Sequence, residues 1–296
     1  MKRLTTTILS LSLLFCGCAP AFATAAPAQV REGDPALWLL SDEDTDIYLF
    51  GTVHFLPADL LWFDDEVRSA FDRSDALVLE MLVPSESEMA ALIGDYGYAN
   101  DGIGLRDRLS PESRRQYEAL MKRLDLPRAR LDGLKPWYAF MTLYQLLLQR
   151  GGLDSALSAE QVLTGSASGK QMIEIESARE QLAIFDALSL PEQMALLQSL
   201  LDNPDAITQQ TAQIIGYWAD GDIVGLDRYL AENSTESETE HALIFTRNRN
   251  WVEWLDQRLD SPGTYFVAVG AAHLAGPDNV RELLRERGLD ARRVEY

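Results

Sequence analysis

Two of the three histidines in the sequence share one spacing, because each stands three residues after a glycine that follows an apolar run. The first motif is Gly51-x-x-His54 and the second is Gly270-x-x-His273. A continuous apolar run is typical of a strand buried on both faces, and glycine at its end allows a sharp turn or a close backbone approach. Open α/β folds bind ligands at the carboxyl edge of the sheet, so both imidazoles are predicted there.

Two glutamates stand at comparable places in the sequence. Glu80 follows the apolar run Ala76–Leu79, and Glu176 follows a strand-like run over residues 171–175 and precedes a helix start. A single histidine in a turn, or a glutamate stabilised by a helix dipole, is an ordinary structural feature. Four titratable groups at four strand ends predict a functional site, since strand ends gather along one edge of a sheet.

The donor types at these strand ends predict a divalent metal ion. His54, His273 and Glu80 are the predicted ligands, and nitrogen and carboxylate donors suit Zn, Mn, Co or Fe. A bound ion would lower the pKa of a coordinated water to roughly 7, and the glutamate that is not a ligand, Glu80 or Glu176, would serve as general base. Hydrolysis is the predicted reaction class. The sequence has no GxSxG nucleophile elbow and no glycine-rich phosphate loop.

The order of elements predicts an α/β fold with a mixed sheet and helical insertions. A hairpin-like entry with strands at 37–40 and 47–50 leads into the first histidine motif, and a helix is expected over Asp64–Arg73. The regions at about 105–160 and 181–260 are predicted to be helical insertions in a single domain spanning residues 37–296. Residues 24–36 are expected to be a flexible lead-in, and residues 234–240 a mobile surface loop.

The amino terminus has the pattern of a signal peptide over residues 1–23, with Lys2 and Arg3 before an apolar stretch and Ala21-Phe22-Ala23 as a cleavage site. Export, with a periplasmic location, is therefore predicted, and Cys18 is a candidate site for lipid attachment. Both cysteines lie in this segment, so the mature chain would have no thiol for catalysis or metal binding. No later apolar run reaches the roughly 20 residues that span a bilayer.

The charge balance restricts the partners. The formal net charge is −20, and removal of residues 1–23 takes away two basic residues and leaves −22. Such a chain repels phosphate backbones, so nucleic acid is not an expected partner, whereas cations are compatible with it.

An ordered set of motifs resembles the TraB/GumN superfamily, which includes the TIKI metalloproteases, over about residues 36–296. The set contains the two GxxH motifs and five further segments: Leu79-Glu80, Lys135-Pro136-Trp137, Gly152-Leu153-Asp154, Ile175-Glu176-Ser177 with Gln181, and Arg247-Asn248-x-x-Trp251. The resemblance implies an architecture related to erythromycin esterase and ChaN. It also implies that His54, His273, Glu80 and Arg247 are functional, with Arg247 as a candidate for binding a substrate carboxylate or an oxyanion.

Three hypotheses about function remain open at this point. The leading one is an exported metal-dependent hydrolase acting on peptides or other small or envelope substrates, with Glu80, Glu176 and Arg247 as catalytic residues; the peptidase form is implied by the TIKI branch alone. The second is a metal-independent esterase-type hydrolase in which His54 and Glu80 activate water. The third is a periplasmic binding or assembly factor without turnover, for instance for haem or an envelope polysaccharide such as an exopolysaccharide, with His54 and His273 as ligand contacts.

Overall fold

The structure is a computed structural model that describes residues 30–295. The predicted signal peptide, Cys18 and the first part of the lead-in lie outside the described residues, so export and lipid attachment stay predictions. Among residues 30–295, no helix combines the length and the apolar character needed to cross a membrane.

Eight strands form the sheets of the described chain. They are β1 (Arg31–Glu32), β2 (Leu37–Ser41), β3 (Thr45–Thr52), β4 (Leu60–Leu61), β5 (Ala76–Leu79), β6 (Gln171–Glu174), β7 (Gly263–Gly270) and β8 (Arg292–Arg293). Six of them make one sheet in the order β6-β5-β7-β3-β2-β8. The first four strands in this order run parallel, and β2 pairs antiparallel with both β3 and β8. The predicted mixed α/β sheet and its hairpin entry are confirmed.

The lead-in is ordered where it is described. Arg31 and Glu32 pair in parallel with Leu60 and Leu61, and the amide of Gly33 donates a hydrogen bond to the carbonyl of Leu61 at 2.8 Å. The flexible lead-in expected up to residue 36 therefore does not extend through this strand. Its composition of alanine and proline gave no sign of the partner strand that supplies these hydrogen bonds.

The described chain separates into two compact units. The first contains residues 30–83, 153–177 and 213–295 with all eight strands, and the second contains residues 84–152 and 178–212. Helices of the first unit are α1 (Asp65–Arg73), α6 (Ala159–Ser166), α10 (Ile223–Asn233), α11 (Glu238–Glu240), α12 (Thr246–Leu259) and α13 (Val280–Glu286). Those of the second are α2 (Glu86–Tyr96), α3 (Leu105–Arg108), α4 (Pro111–Arg123), α5 (Pro136–Arg150), α7 (Ala178–Ala187) and α8 (Leu190–Asp202), while α9 (Pro204–Ala219) belongs partly to each.

The sheet forms the core of the first unit because its central strands are apolar on both faces. Residues Tyr265–Gly270 of β7 are all buried, and Trp251, Val252 and Leu255 of α12 pack in the same cluster as residues of β3, β5 and β7. A helix whose apolar face packs against the sheet is fixed both in its rotation about its own axis and in its position along the strands. This packing fixes the start of α12 near the carboxyl edge, where the candidate residues lie.

The second unit is helical, and Trp137 is a core residue there. Its side chain is fully buried and stacks on Phe185 with ring centroids 5.5 Å apart. Capping boxes at Ser85 and Ser189 begin α2 and α8.

The loop expected over residues 234–240 is more ordered than its composition predicted. Glu240 is 1% exposed, and one of its carboxylate oxygens accepts hydrogen bonds from the amides of Thr235 and Glu236 at 2.8 and 2.9 Å. A short π-helix over His241–Phe245 then connects this turn to α12. His241, the third histidine of the chain, is exposed.

Candidate functional site

The two GxxH motifs lie on neighbouring parallel strands. β3 pairs with β7 along its whole length, and Thr52 is opposite Gly270, so both histidines follow the same edge of the sheet. A Cβ atom on Gly51 would come within 3.1 Å of the Cα atom of Ala271, which explains the glycine in the first motif. The carbonyl of Gly51 also accepts a hydrogen bond of 2.6 Å from the indole of Trp218.

The two predicted glutamates lie side by side at this edge. The pairing of β5 with β6 continues past the strand ends, where the amide of Glu176 donates to the carbonyl of Glu80 at 2.8 Å. The Glu80 carboxylate is 3% exposed, and its Oε1 accepts a hydrogen bond of 2.6 Å from the amide of Gly270. The glycine of the second motif therefore contacts Glu80 directly, because its backbone amide donates this hydrogen bond to the carboxylate.

Arg247 connects these groups. Its guanidinium donates from Nη2 to Oε2 of Glu80 at 2.6 Å and from Nε to Oε2 of Glu176 at 2.9 Å. Nη1 donates to the carbonyl of Leu243 in the π-helix at 3.0 Å and lies 3.1 Å from Nε2 of His273. The side chain is 4% exposed and stacks over Trp251. Because its nitrogens are engaged inside the protein, Arg247 acts here as a support for its neighbours.

The contacts of His273 define its tautomer. A guanidinium can only donate, so Nε2 of His273 accepts from Arg247 and the ring proton is on Nδ1. Nδ1 lies 2.6 Å from Oδ1 of Asn248, whose amide nitrogen donates to the carbonyl of Asp278 at 2.8 Å. The ring also packs against Trp251, with centroids 4.2 Å apart. His273 is therefore fully buried and held on both ring nitrogens.

His54 has a different set of contacts. Its Nδ1 lies 2.7 Å from Oε1 of Glu160 on α6, and each side chain is 12% exposed. Its Nε2 is buried and makes no hydrogen bond to any of the residues that the structure describes. A histidine with one nitrogen oriented by a carboxylate and the other unengaged has the arrangement of a general base.

The charges of the site act on one another. Burial would raise the pKa of Glu80, but the attraction of Arg247, together with the smaller effects of the two histidines and the Gly270 amide, lowers the pKa to about 2. Burial and repulsion from Arg247 lower the pKa of His273 to about 3, so this imidazole is neutral at pH 7. Burial raises the pKa of Glu176, although Arg247 opposes the shift. The Arg247 cluster therefore combines one fixed cation, one fixed carboxylate and a neutral histidine.

In the pair formed by His54 and Glu160, the attraction between the two groups outweighs the effect of burial on both pKa values. Burial would lower the pKa of His54, but Glu160 outweighs it and raises the pKa above its usual value. Burial would likewise raise the pKa of Glu160, and His54 lowers it instead. The charges of Glu80 and Arg247 also act on His54, with opposite signs. His54 is therefore the titratable imidazole of the site.

The predicted metal ligands can be tested against these contacts. A metal ligand needs a free lone pair, yet the only lone pair on Nε2 of His273 faces the Arg247 guanidinium. Among residues 30–295, no three His, Cys, Asp or Glu side chains are placed to hold a metal together. In this arrangement the residues do not fit the predicted ion, and the assignment of His54, His273 and Glu80 as ligands stays a prediction from their donor types.

Comparison with known proteins identifies the family. The model of the TraB/PrgY/gumN family matches residues 36–293. The chain belongs to this family. Its members include two uncharacterized relatives with which the chain aligns over most of its length. A protein of Treponema pallidum (strain Nichols) is 23% identical over 298 residues, covering 95% of this chain and 89% of the relative. Protein YbaP of Escherichia coli (strain K12) is 25% identical over 256 residues, covering 85% and 92%. No solved structure matches, so the likeness to erythromycin esterase and ChaN stays an expectation.

The strand-end pattern selected most of the residues that the structure brings together in this candidate site. Glu80, Glu176 and His273 meet around Arg247, and His54 lies at the same edge on the neighbouring strand. Glu160 was missed. Its position as the second residue of a helix after the Ser158 cap was visible in the sequence, but this is an ordinary place for a glutamate and gave no sign of its histidine partner.

Proposed function

We propose that this protein is a hydrolase in which His54 activates a water molecule for attack on a carbonyl-type substrate. The observation that carries the proposal is the state of His54, whose Nδ1 lies 2.7 Å from Oε1 of Glu160 and whose Nε2 is buried without a hydrogen-bond partner among the described residues. A nucleophile or base with a second group that orients it is the common pattern of hydrolytic sites.

The reaction requires two proton transfers at His54. As the water oxygen attacks the carbonyl carbon, Nε2 accepts a water proton and the imidazolium is stabilised by Glu160. When the bond to the leaving group breaks, the same proton passes from Nε2 to the leaving-group atom, and His54 returns to its neutral form. The Glu80 carboxylate, fixed by Arg247 and the Gly270 amide, contributes a second negative charge that favours the imidazolium.

Arg247, Glu176 and His273 support this chemistry by position. Arg247 keeps two buried carboxylates in place, and His273 closes the remaining side of the guanidinium as a neutral acceptor. The geometry favours the metal-independent form of hydrolysis because Nε2 of His273 already accepts from Arg247, and no three possible ligand side chains among residues 30–295 are placed to hold a metal together. Metal-dependent hydrolysis is the competing prediction, and the peptide and envelope substrates remain predictions as well.

Turnover of p-nitrophenyl esters and of fluorogenic peptides by the purified protein, with and without chelator, tests the proposal. We expect activity that survives chelation and falls by about 10²-fold or more in His54→Gln, since general base catalysis contributes roughly that factor. His241→Gln is the matched control, because this third histidine is exposed and should leave kcat/KM unchanged.

Three results would contradict it. Loss of activity on chelation, with recovery on adding Zn, Mn or Co, would establish the metal-dependent form. Full activity in His54→Gln would remove His54 as the base. Stoichiometric binding of an envelope saccharide without turnover, lost in His54→Gln, would establish the binding-factor hypothesis instead.

A further inference from the structure

Residues 154–160 form a strap that joins the beginning of α6 to the turn carrying His54. Leu56 and Asp154 exchange backbone hydrogen bonds, from the Leu56 amide at 3.2 Å and from the Asp154 amide at 2.9 Å. Further along, the amide of Ala159 donates to the carbonyl of Val53 at 3.1 Å. The strap is thus bound to the chain on both sides of His54.

Side chains stiffen the same strap. The Asp154 carboxylate accepts from the amide of Ala156 at 2.9 Å, which shapes the short turn that leads to the helix. Ser158, 1% exposed, caps α6 by accepting from the amide of Gln161 at 3.2 Å. The first turn of α6 is therefore fixed in height and rotation, and Glu160, its second residue, has a defined position next to the imidazole.

A structural role for Glu160 alone does not explain this arrangement. A glutamate in the first turn of a helix stabilises the helix from an exposed position just as well, and burying a carboxylate carries a desolvation cost. Glu160 is instead 12% exposed and contacts Nδ1 of His54 at 2.7 Å. Among the described residues, Glu160 is the charged group for which a contact with the His54 ring is seen, so we assign the orientation of the ring to it.

We propose that Glu160 is a positioning residue: it holds the proton of His54 on Nδ1 and so presents the Nε2 lone pair to the reacting water. This inference rests on the proposed hydrolytic role of His54. The motif Gly152-Leu153-Asp154 gains a purpose from it, because Asp154 anchors the strap that delivers Glu160. Without the carboxylate, the ring is free to turn and to carry its proton on Nε2, which abolishes the base.

Long-range ¹H–¹⁵N spectra of the histidine rings test the inference without any substrate. The spectra of the wild type, Glu160→Ala and Glu160→Gln are compared, and the His54 signals are assigned by their loss in His54→Gln. We expect the Nδ1–H tautomer for neutral His54 in the wild type and a shift toward the Nε2–H form in Glu160→Ala. Glu240→Gln is the matched control, because Glu240 is a buried carboxylate of the same unit that contacts the 235–236 turn.

Kinetics add a second readout. In Glu160→Gln, kcat/KM should fall on the order of 10²- to 10⁴-fold with little change in KM, as expected for loss of the group that orients a catalytic histidine. The acidic limb of the pH profile should move to lower pH, since the carboxylate is what raises the pKa of His54. Glu160→Gln keeps the volume of the side chain, so it carries the test if Glu160→Ala does not fold.

The two proposals fail in different ways. A His54 ring that keeps its tautomer in Glu160→Ala, or an unchanged acidic limb in Glu160→Gln, overturns the positioning role whatever the activity. An active His54→Gln protein overturns the hydrolytic role of His54 while the spectra still report on Glu160.

Discussion

The role of Arg247 is set by its buried contacts and not by its position on a helix. On sequence grounds alone a charged residue on a helix is expected to be solvated, and only the family resemblance raised it to a functional candidate. The structure buries it against Glu80, Glu176 and His273. With two carboxylates depending on one guanidinium, removal of the cation leaves uncompensated charge in the interior.

Arg247→Met should therefore lower the free energy of unfolding by about 3–5 kcal/mol, the usual cost of breaking a buried ion pair on one side. Arg249→Met is the matched control on the same helix, since its ion pair with Asp278 is half exposed and is expected to contribute less than about 1 kcal/mol. Urea unfolding at pH 7 measures both. Equal and small losses would show that the cluster does not depend on Arg247.

His273 should make the stability depend on pH. Its pKa is about 3 in the folded protein, below the usual 6.5, so between these values the unfolded chain binds a proton that the folded chain does not. The free energy of unfolding should rise with pH in this window by up to about 1.4 kcal/mol per unit from this residue. Above pH about 6.5 the imidazole is neutral in both states and His273 does not destabilise the fold. The destabilisation grows as the pH falls from about 6.5 toward 3, because only the unfolded chain then binds the proton.

Urea unfolding from pH 4 to 7 in wild type and His273→Gln measures this slope, which should be smaller in the variant. His241→Gln is the control, because it replaces an exposed histidine outside the Arg247 cluster. An identical slope in His273→Gln and wild type would contradict the neutral, buried imidazole.

At the scale of elements, the parallel pair of β3 and β7 determines where the histidine motifs lie. The apolar runs were sufficient to predict both strands, and the glycines predicted a close approach at their ends. The register adds what the pattern did not contain: Gly51 faces Ala271, and Gly270 faces Glu80 through its amide.

Gly51→Ala should disturb this contact. The added Cβ would lie 3.1 Å from the Cα atom of Ala271, so the backbone of one strand end must shift. We expect a loss of about 1–3 kcal/mol in stability, as for other overpacked sites, and a lower kcat/KM. Gly216→Ala in α9 is the control, since an added Cβ meets nothing within 4 Å and alanine is the better helix former. Equal behaviour of the two variants would contradict the close approach.

The sequence predicted the elements better than the contacts between them. His54, Glu80, Glu176 and His273 were recognisable because a strand end is a local pattern. Glu160 and the order of the 234–240 turn were not, because the partner of each carboxylate is set by tertiary structure. Glu240 reads as one of several solvated glutamates until its hydrogen bonds to Thr235 and Glu236 are seen.

For the whole molecule, net charge is the property most open to a simple test. Acidic residues outnumber basic ones by 46 to 26, so the folded chain carries strong self-repulsion. We expect the midpoint of thermal unfolding to rise when NaCl is increased from about 10 to 150 mM, because the Debye length shortens to roughly 8 Å. Differential scanning fluorimetry measures the midpoint. A fall over this range would mean that specific surface ion pairs outweigh the general repulsion.

The position of β7 between β3 and β5 affects how the protein folds during its synthesis. Both neighbours, β3 and β5, are apolar strands that are synthesised early. The backbone edge that each will pair with β7 stays unpaired until residues 263–270 leave the ribosome. Strand pairings between such distant segments form slowly, and until they form the chain is an aggregation-prone intermediate with unpaired strand edges. A nascent chain cut short before Gly263 lacks both β7 and His273, so its sheet cannot close and it should be bound preferentially by chaperones and proteases.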